Sequence, residues 1–163
     1  MTPSWPSSSH TSPDQEAHQG SRPPEGRHSP HAFGRLLDTH VFLWMQSAPE
    51  QIGEAARAIV AAPENELFLS AASAWEIAIK HGIGRLELPE HPDRYVPDRM
   101  RRSGVDGLPI AHAHALHVAR LPPLHRDPFD RMLVAQANTE QLPLITVDEA
   151  VMDYDVDTID ART

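Results

Sequence analysis

From residue 33 onward, short apolar runs alternate with stretches in which apolar residues recur every three or four positions. These are the periodicities of buried strands and of amphipathic helices. Phe33 to Asp38 reads as a strand, and Pro49 to Ala62 puts Ile52, Ala55, Ala56, Ile59 and Val60 on one helical face. Glu66 to Ser70 reads as a second buried strand, followed by a helix from Ala74 to His81 that Gly82 and Gly84 terminate. The more polar stretch Pro92 to Ser103 predicts a helix despite Pro97, and Leu108 to Ile110 a short edge strand. Ala111 to Arg120 reads as a helix stopped by Pro122 and Pro123, Pro128 to Gln141 as another, and Pro143 to Val147 as a central strand. Strand and helix in repeated alternation predict an α/β fold, a parallel sheet wrapped by helices.

Residues 1–33 break the pattern. They are crowded with Ser, Pro, His and Gly and have no periodicity, so they cannot bury enough apolar surface to offset their ordering entropy. A disordered extension is expected there, joined to one domain at 34–163. Because the folded pattern begins abruptly, a true translation start near Phe33 to Leu36 is also expected. The 163 residues suit one domain with a proper core. Absence of cysteine excludes disulfides, thiolate zinc sites and a cysteine nucleophile, and fits a cytoplasmic protein. A net charge of -9 argues against holding nucleic acid by overall positive charge. No apolar run approaches the roughly 20 residues that span a bilayer.

Four acids, Asp38, Glu76, Asp130 and Asp148, stand at or just past a predicted strand end or in the first turn of a predicted helix. In an open α/β sheet such positions converge on one crevice. Each also has a plainer reading. Asp38 suits the N-cap of a short helix beginning near Val41, although Thr39 beside it could orient it toward a cation. Ser73 and Glu76 form a capping-box pattern, which would put Glu76 in a first turn facing the same crevice. Asp127 precedes Pro128 and suits the cap before a first helical position, leaving Asp130 one turn in, at the positive helix end. Asp148 could cap a turn leading into Glu149 and Ala150. Repetition of the placement favours a shared pocket.

Crowded carboxylates need a cation, and oxygen-only ligands favour Mg²⁺ or Mn²⁺ over zinc. Such ions stabilise in-line displacement at phosphorus, so the implied reaction is phosphodiester hydrolysis. Lys80, Arg85, Arg126 and Arg131 could hold flanking phosphates, against a plainer reading as solvated helix surface. His112, His114 and His117 do not read as a zinc site, because on a helix the first two lie about 200° apart; a solvent-facing helix explains them. Asp38-Thr39-His40 lacks the second aspartate that a haloacid-dehalogenase-type phosphatase requires.

The segments LLDTHVFLW, SAASAWEIAIKHGIGRLELP, HRDPFDRMLVAQA and LPLITVDEAV, in this order and spacing, resemble the PIN domain, specifically the VapC-type toxins of bacterial toxin–antitoxin pairs. The resemblance runs from Arg35 to about Ile159. It implies a three-layer α/β/α fold with a central parallel sheet, and a Mg²⁺- or Mn²⁺-dependent ribonuclease that cuts tRNA or rRNA and inhibits translation. It further implies a homodimer silenced by a VapB-like antitoxin. Carried over by position, the family's acidic quartet falls on Asp38, Glu76, Asp130 and Asp148, with Thr146 as a supporting hydroxyl. A housekeeping RNA-processing nuclease, or a non-catalytic module that keeps the pocket to bind a partner, are the alternatives.

Overall fold

The computed structural model describes residues 33–163. The expected disordered extension lies, Phe33 apart, outside the described residues. Strands β1 (Gly34–Leu37), β2 (Glu66–Ser70), β3 (Val105–Leu108), β4 (Leu144–Thr146) and β5 (Thr158–Asp160) form one sheet in the order β3-β2-β1-β4-β5. Every pairing is parallel, which requires a crossover between successive strands. The helices supply it: α1 (Thr39–Ser47) and α2 (Glu54–Ala61) before β2, α3 (Ala71–Gly82) and α4 (Pro92–Ser103) before β3. Then α5 (His112–His117) and α6 (Pro128–Glu140) precede β4, and α7 (Glu149–Met152) precedes β5.

Adjacent residues of a strand face opposite sides of the sheet, and the two cores follow from that. Leu37, Leu67, Leu69, Val105 and Ile145 pack with Val41, Phe42, Ala56, Ile77, Tyr95 and Val96 from α1 to α4. Leu36 and Leu144, with Phe68 at the margin, pack on the other side with Leu133, Val134 and Ala137 of α6 and Val151 of α7. The result is the expected three-layer α/β/α arrangement. Leu36 and Leu37 are both fully buried, one in each core, at roughly 1.5–3 kcal/mol per side chain.

Several expected boundaries shift for local reasons. The Pro49 to Ala62 helix is broken: a single 3₁₀ turn at Pro49–Gln51 precedes α2, with Gly53 as its N-cap. The Gly53 N–H donates to the Ala161 carbonyl at 2.8 Å, and a Cβ there would lie 2.2 Å from the Thr163 carbonyl oxygen. Helix α3 starts at Ala71, because Ser70 ends β2 in an extended conformation and its Oγ accepts from the Ala72 N–H at 2.9 Å. The Ser73–Glu76 capping box therefore does not form. Ser73 lies inside the helix with its hydroxyl buried, and Glu76 belongs to the second turn. β3 lies at Val105–Leu108, before the expected Leu108 to Ile110, and is the edge strand paired with β2. Helix α4 runs through Pro97 and ends at Gly104, which takes a left-handed φ of 63°. Periodicity alone does not predict β5, α7 or the full extent of α1.

Along the chain the strands progress outward from β1 to β3, then restart on its other side with β4 and β5. The order reverses between β1 and β4, and outside the carboxyl ends of such strands an open α/β sheet has its crevice.

Candidate active site

Asp38 directly follows β1 and Asp148 follows β4 by two residues, and these strands are neighbours with Leu37 opposite Ile145. Thr146, the last residue of β4, joins them. Its Oγ1 donates to Asp38 Oδ2 at 2.5 Å and accepts from the Asp148 N–H at 3.0 Å. Both aspartates also cap helices. Asp38 Oδ1 accepts from the His40 N–H at 2.9 Å at the start of α1. Asp148 Oδ1 accepts from the Ala150 and Val151 N–H groups at 2.8 and 3.2 Å at the start of α7. Capping thus uses one oxygen of each carboxylate and leaves the other turned elsewhere: Asp38 Oδ2 to Thr146, Asp148 Oδ2 to His125.

Glu76 reaches the site from α3 and is 3% exposed. Its Oε2 accepts from Thr39 Oγ1 at 2.6 Å, and its Oε1 pairs with Lys80 Nζ at 2.5 Å, one turn along the same helix. Thr39 therefore orients Glu76 rather than Asp38, because as the first residue of α1 it points across to α3. Asp130 stands in the first turn of α6, where Asp127 is the N-cap and its Oδ1 accepts from the Phe129 N–H at 2.8 Å. His125 ties this end together: its Nε2 lies 3.2 Å from Asp148 Oδ2 and 3.4 Å from Asp130 Oδ2.

The electrostatics are those of an acidic cluster that Lys80 offsets only in part. Burial, then the charges of Asp38 and Asp127, push the Asp130 carboxyl up to about 7, with Glu76 adding to the effect and His125 opposing it. For Asp38, burial alone would raise the carboxyl, but hydrogen bonds from His40 and Thr146 outweigh it and hold the group low. Desolvation works against the charged Lys80, yet its bond to Glu76 and the charges of Glu76, Asp127 and Asp130 keep its ammonium raised. His40 is raised, chiefly by its hydrogen bond to Asp38. Ligand atoms of His125, Asp130 and Asp148 all lie within 4.8 Å of one another. A donor set dominated by carboxylate oxygen suits a hard divalent cation, and a cation would offset the burial and the neighbouring charges that push the Asp130 carboxyl up. The residues fit such an ion.

Other expectations change. Arg131 does not face the pocket as a phosphate holder: its guanidinium donates to the carbonyls of Pro122, Val118 and Leu121 and to the Tyr154 hydroxyl. Arg85 and Arg126 are exposed. His114 is not solvent-facing but buried; its Nδ1 accepts from the Ala111 N–H at 3.0 Å and its Nε2 meets Glu140 at 2.7 Å. His125 is a site residue that sequence reasoning misses. A histidine two residues before a helix cap carries no periodic signal, and only the fold of the loop brings it to Asp148.

The PIN domain family model matches residues 35–156. The chain belongs to the PIN domain family. Over 61 residues this PIN-domain chain is 56% identical to a protein named Ribonuclease VapC16 from Mycobacterium tuberculosis, a match spanning 37% of this chain and 43% of that relative. Among solved structures, VapBC2 from Rickettsia felis bound to a promoter DNA fragment aligns with a TM-score of 0.59 at 13% identity, over 77% of this chain and 97% of that one. A toxin–antitoxin complex from Klebsiella pneumoniae aligns at 0.55 and 18%, over 78% and 97%. VapBC-1 from nontypeable Haemophilus influenzae aligns at 0.54 and 19%, over 80% and 99%. At these identities the likeness is one of fold.

Proposed function

We propose that this PIN-domain protein is a metal-dependent endoribonuclease toxin that hydrolyses phosphodiester bonds of tRNA or rRNA, inhibits translation and is neutralised by a VapB-like antitoxin. The observation that carries this reading is the acidic crevice at the sheet's switch point, where Asp130 is pushed up to about 7 by burial and by neighbouring carboxylates. The relative named a ribonuclease and the toxin–antitoxin complexes of the same fold support it. A homodimer in the cytoplasm belongs to the same proposal; among the described residues no helix is long and apolar enough to cross a membrane.

Asp38, Asp130 and Asp148, with Glu76, would hold Mg²⁺ or Mn²⁺. When bound, such a cation offsets charge on the scissile phosphate and makes water a better nucleophile. The chain's own residues do the rest. Thr146 holds Asp38 at a fixed angle through a 2.5 Å bond, and the α1 and α7 caps stop Asp38 and Asp148 from rotating. Thr39 and Lys80 fix both oxygens of Glu76, which then orients the attacking water. Lys80 Nζ also supplies positive charge beside a pocket that a protein of net charge -9 must otherwise make attractive to RNA.

Sequencing RNA 5′ ends after brief induction, wild type against Asp38→Asn, tests the reading. New ends at defined sites should arise with the wild type alone, together with growth arrest. Undiminished cleavage by a folded Asp38→Asn or Asp130→Asn protein would sink the assignment.

A further inference from the structure

The geometry points to His125 as a positioning residue that braces Asp148 through a fixed Nε2–H, with Asp130 beside it at 3.4 Å, and not as a ligand of the cation those aspartates would hold. This rests on the metal-site reading above. Proximity alone suggests the opposite, because the His125 ring nitrogen and the two carboxylates lie within 4.8 Å of one another, a spacing compatible with shared ligation. The other ring nitrogen decides between the roles. His125 Nδ1 is 2.9 Å from the backbone nitrogen of Asp127, whose N–H can only donate. Nδ1 must accept that bond and so carries no hydrogen. A neutral ring then carries its hydrogen on Nε2, the atom that faces Asp148 Oδ2 at 3.2 Å and Asp130 Oδ2 at 3.4 Å.

Ligation through Nε2 would need the reverse, an unprotonated Nε2 and an Nδ1–H donating outward. Here that outward hydrogen would collide with the Asp127 N–H. The same residue, Asp127, thus caps α6 with its side chain and sets the histidine tautomer with its amide. The loop is anchored independently, since the His125 backbone N–H donates to the Tyr154 hydroxyl at 2.9 Å. That bond does not involve the side chain, so substitution of His125 removes the Nε2–H donor and the Nδ1 acceptor of the Asp127 N–H while the loop keeps its tie to Tyr154.

Long-range ¹H–¹⁵N correlation of the histidine rings in metal-free protein, repeated at saturating Mg²⁺, tests the assignment. His125 should show hydrogen on Nε2 in both states. Mn²⁺-loaded protein should show no directly bound ¹⁴N by pulsed electron paramagnetic resonance. His125→Ala should weaken Mg²⁺ and Mn²⁺ binding by the same factor, about tenfold, the scale of losing a group that orients a ligand, and His125→Gln, which keeps an N–H donor, should recover part of the loss. A hydrogen on Nδ1 in either state, a directly bound nitrogen, a loss confined to Mn²⁺, or unchanged affinity in His125→Ala would overturn the proposal. If no divalent ion binds, the metal-site reading and the proposed activity fail, and with them the brace's role toward a metal; the tautomer result reports separately on the fixed Nε2–H.

Discussion

Asp130 sits in the first turn of α6, where the positive end of the helix should favour its ionised form. Burial and the charges of Asp38 and Asp127 nevertheless push its carboxyl from 3.8 up to about 7. A raised carboxyl means that the folded state holds this proton more tightly than the unfolded chain does. Its contribution to stability is therefore fully present below about pH 4 and is lost as pH rises through about 7. Each tenfold gain in proton affinity corresponds to about 1.4 kcal/mol, so the loss is up to about 4 kcal/mol in metal-free protein. Urea denaturation in EDTA should show wild type losing stability between pH 5 and 8 relative to Asp130→Asn, with the variant the more stable at pH 8. Parallel pH dependence in the two proteins would show that the cluster is not crowded. Asp38 acts in the other sense, but its lowered carboxyl titrates below this window.

At the scale of elements, helix ends carry the tests. Asp127 caps α6 through its bond to Phe129, so Asp127→Ala should cost about 1 kcal/mol while Asp127→Asn, an equally good cap, should cost little. Both should lower the Asp130 carboxyl, since each removes a neighbouring charge; an unmoved Asp130 carbon shift in an NMR titration would refute that coupling. Gly53 at the head of α2 tests close approach. Its missing Cβ leaves room for the Thr163 carbonyl, and Gly53→Ala should destabilise by about 1–3 kcal/mol, the cost of overpacking, read as a lowered denaturation midpoint. The same elements show where sequence reading works. β1, β2, β4, α3, α4 and α6 were legible because their periodic runs are bounded by Pro, Gly or acidic residues. The break at Gly53 was not, because its cause lies at the far end of the chain. Ser70 and Ser73 are equally good caps as residues, and only the end of β2 decides between them. β5 is three half-buried residues whose pairing with β4 is tertiary. Within the site, strand-end acids were legible from topology, whereas the turn of Thr39 toward Glu76 and the arrival of His125 depend on packing between elements.

At the scale of the whole molecule, the site exists only when the sheet is assembled. Asp38, Glu76, Asp130 and Asp148 come from the end of β1, from α3, from α6 and from beyond β4, and nothing local in the chain holds them together. A divalent cation should therefore bind the folded state and leave the unfolded chain alone, which stabilises the fold by mass action. At a hundredfold excess over the dissociation constant the gain is about 2.7 kcal/mol, on the order of 10 °C in Tm for a domain of this size. With a net charge of -9, simple screening could also raise Tm, so monovalent salt at matched ionic strength is the control. Thermal melts at pH 8 should show a large gain with Mg²⁺ or Mn²⁺, reversed by EDTA, small with NaCl, and largely absent from Asp38→Asn and Asp130→Asn. Asp130→Asn should begin from a higher metal-free Tm, since it no longer buries a crowded carboxylate, and still fail to respond. Equal gains in wild type and both variants would mean that the cation acts on the overall charge and not on this crevice.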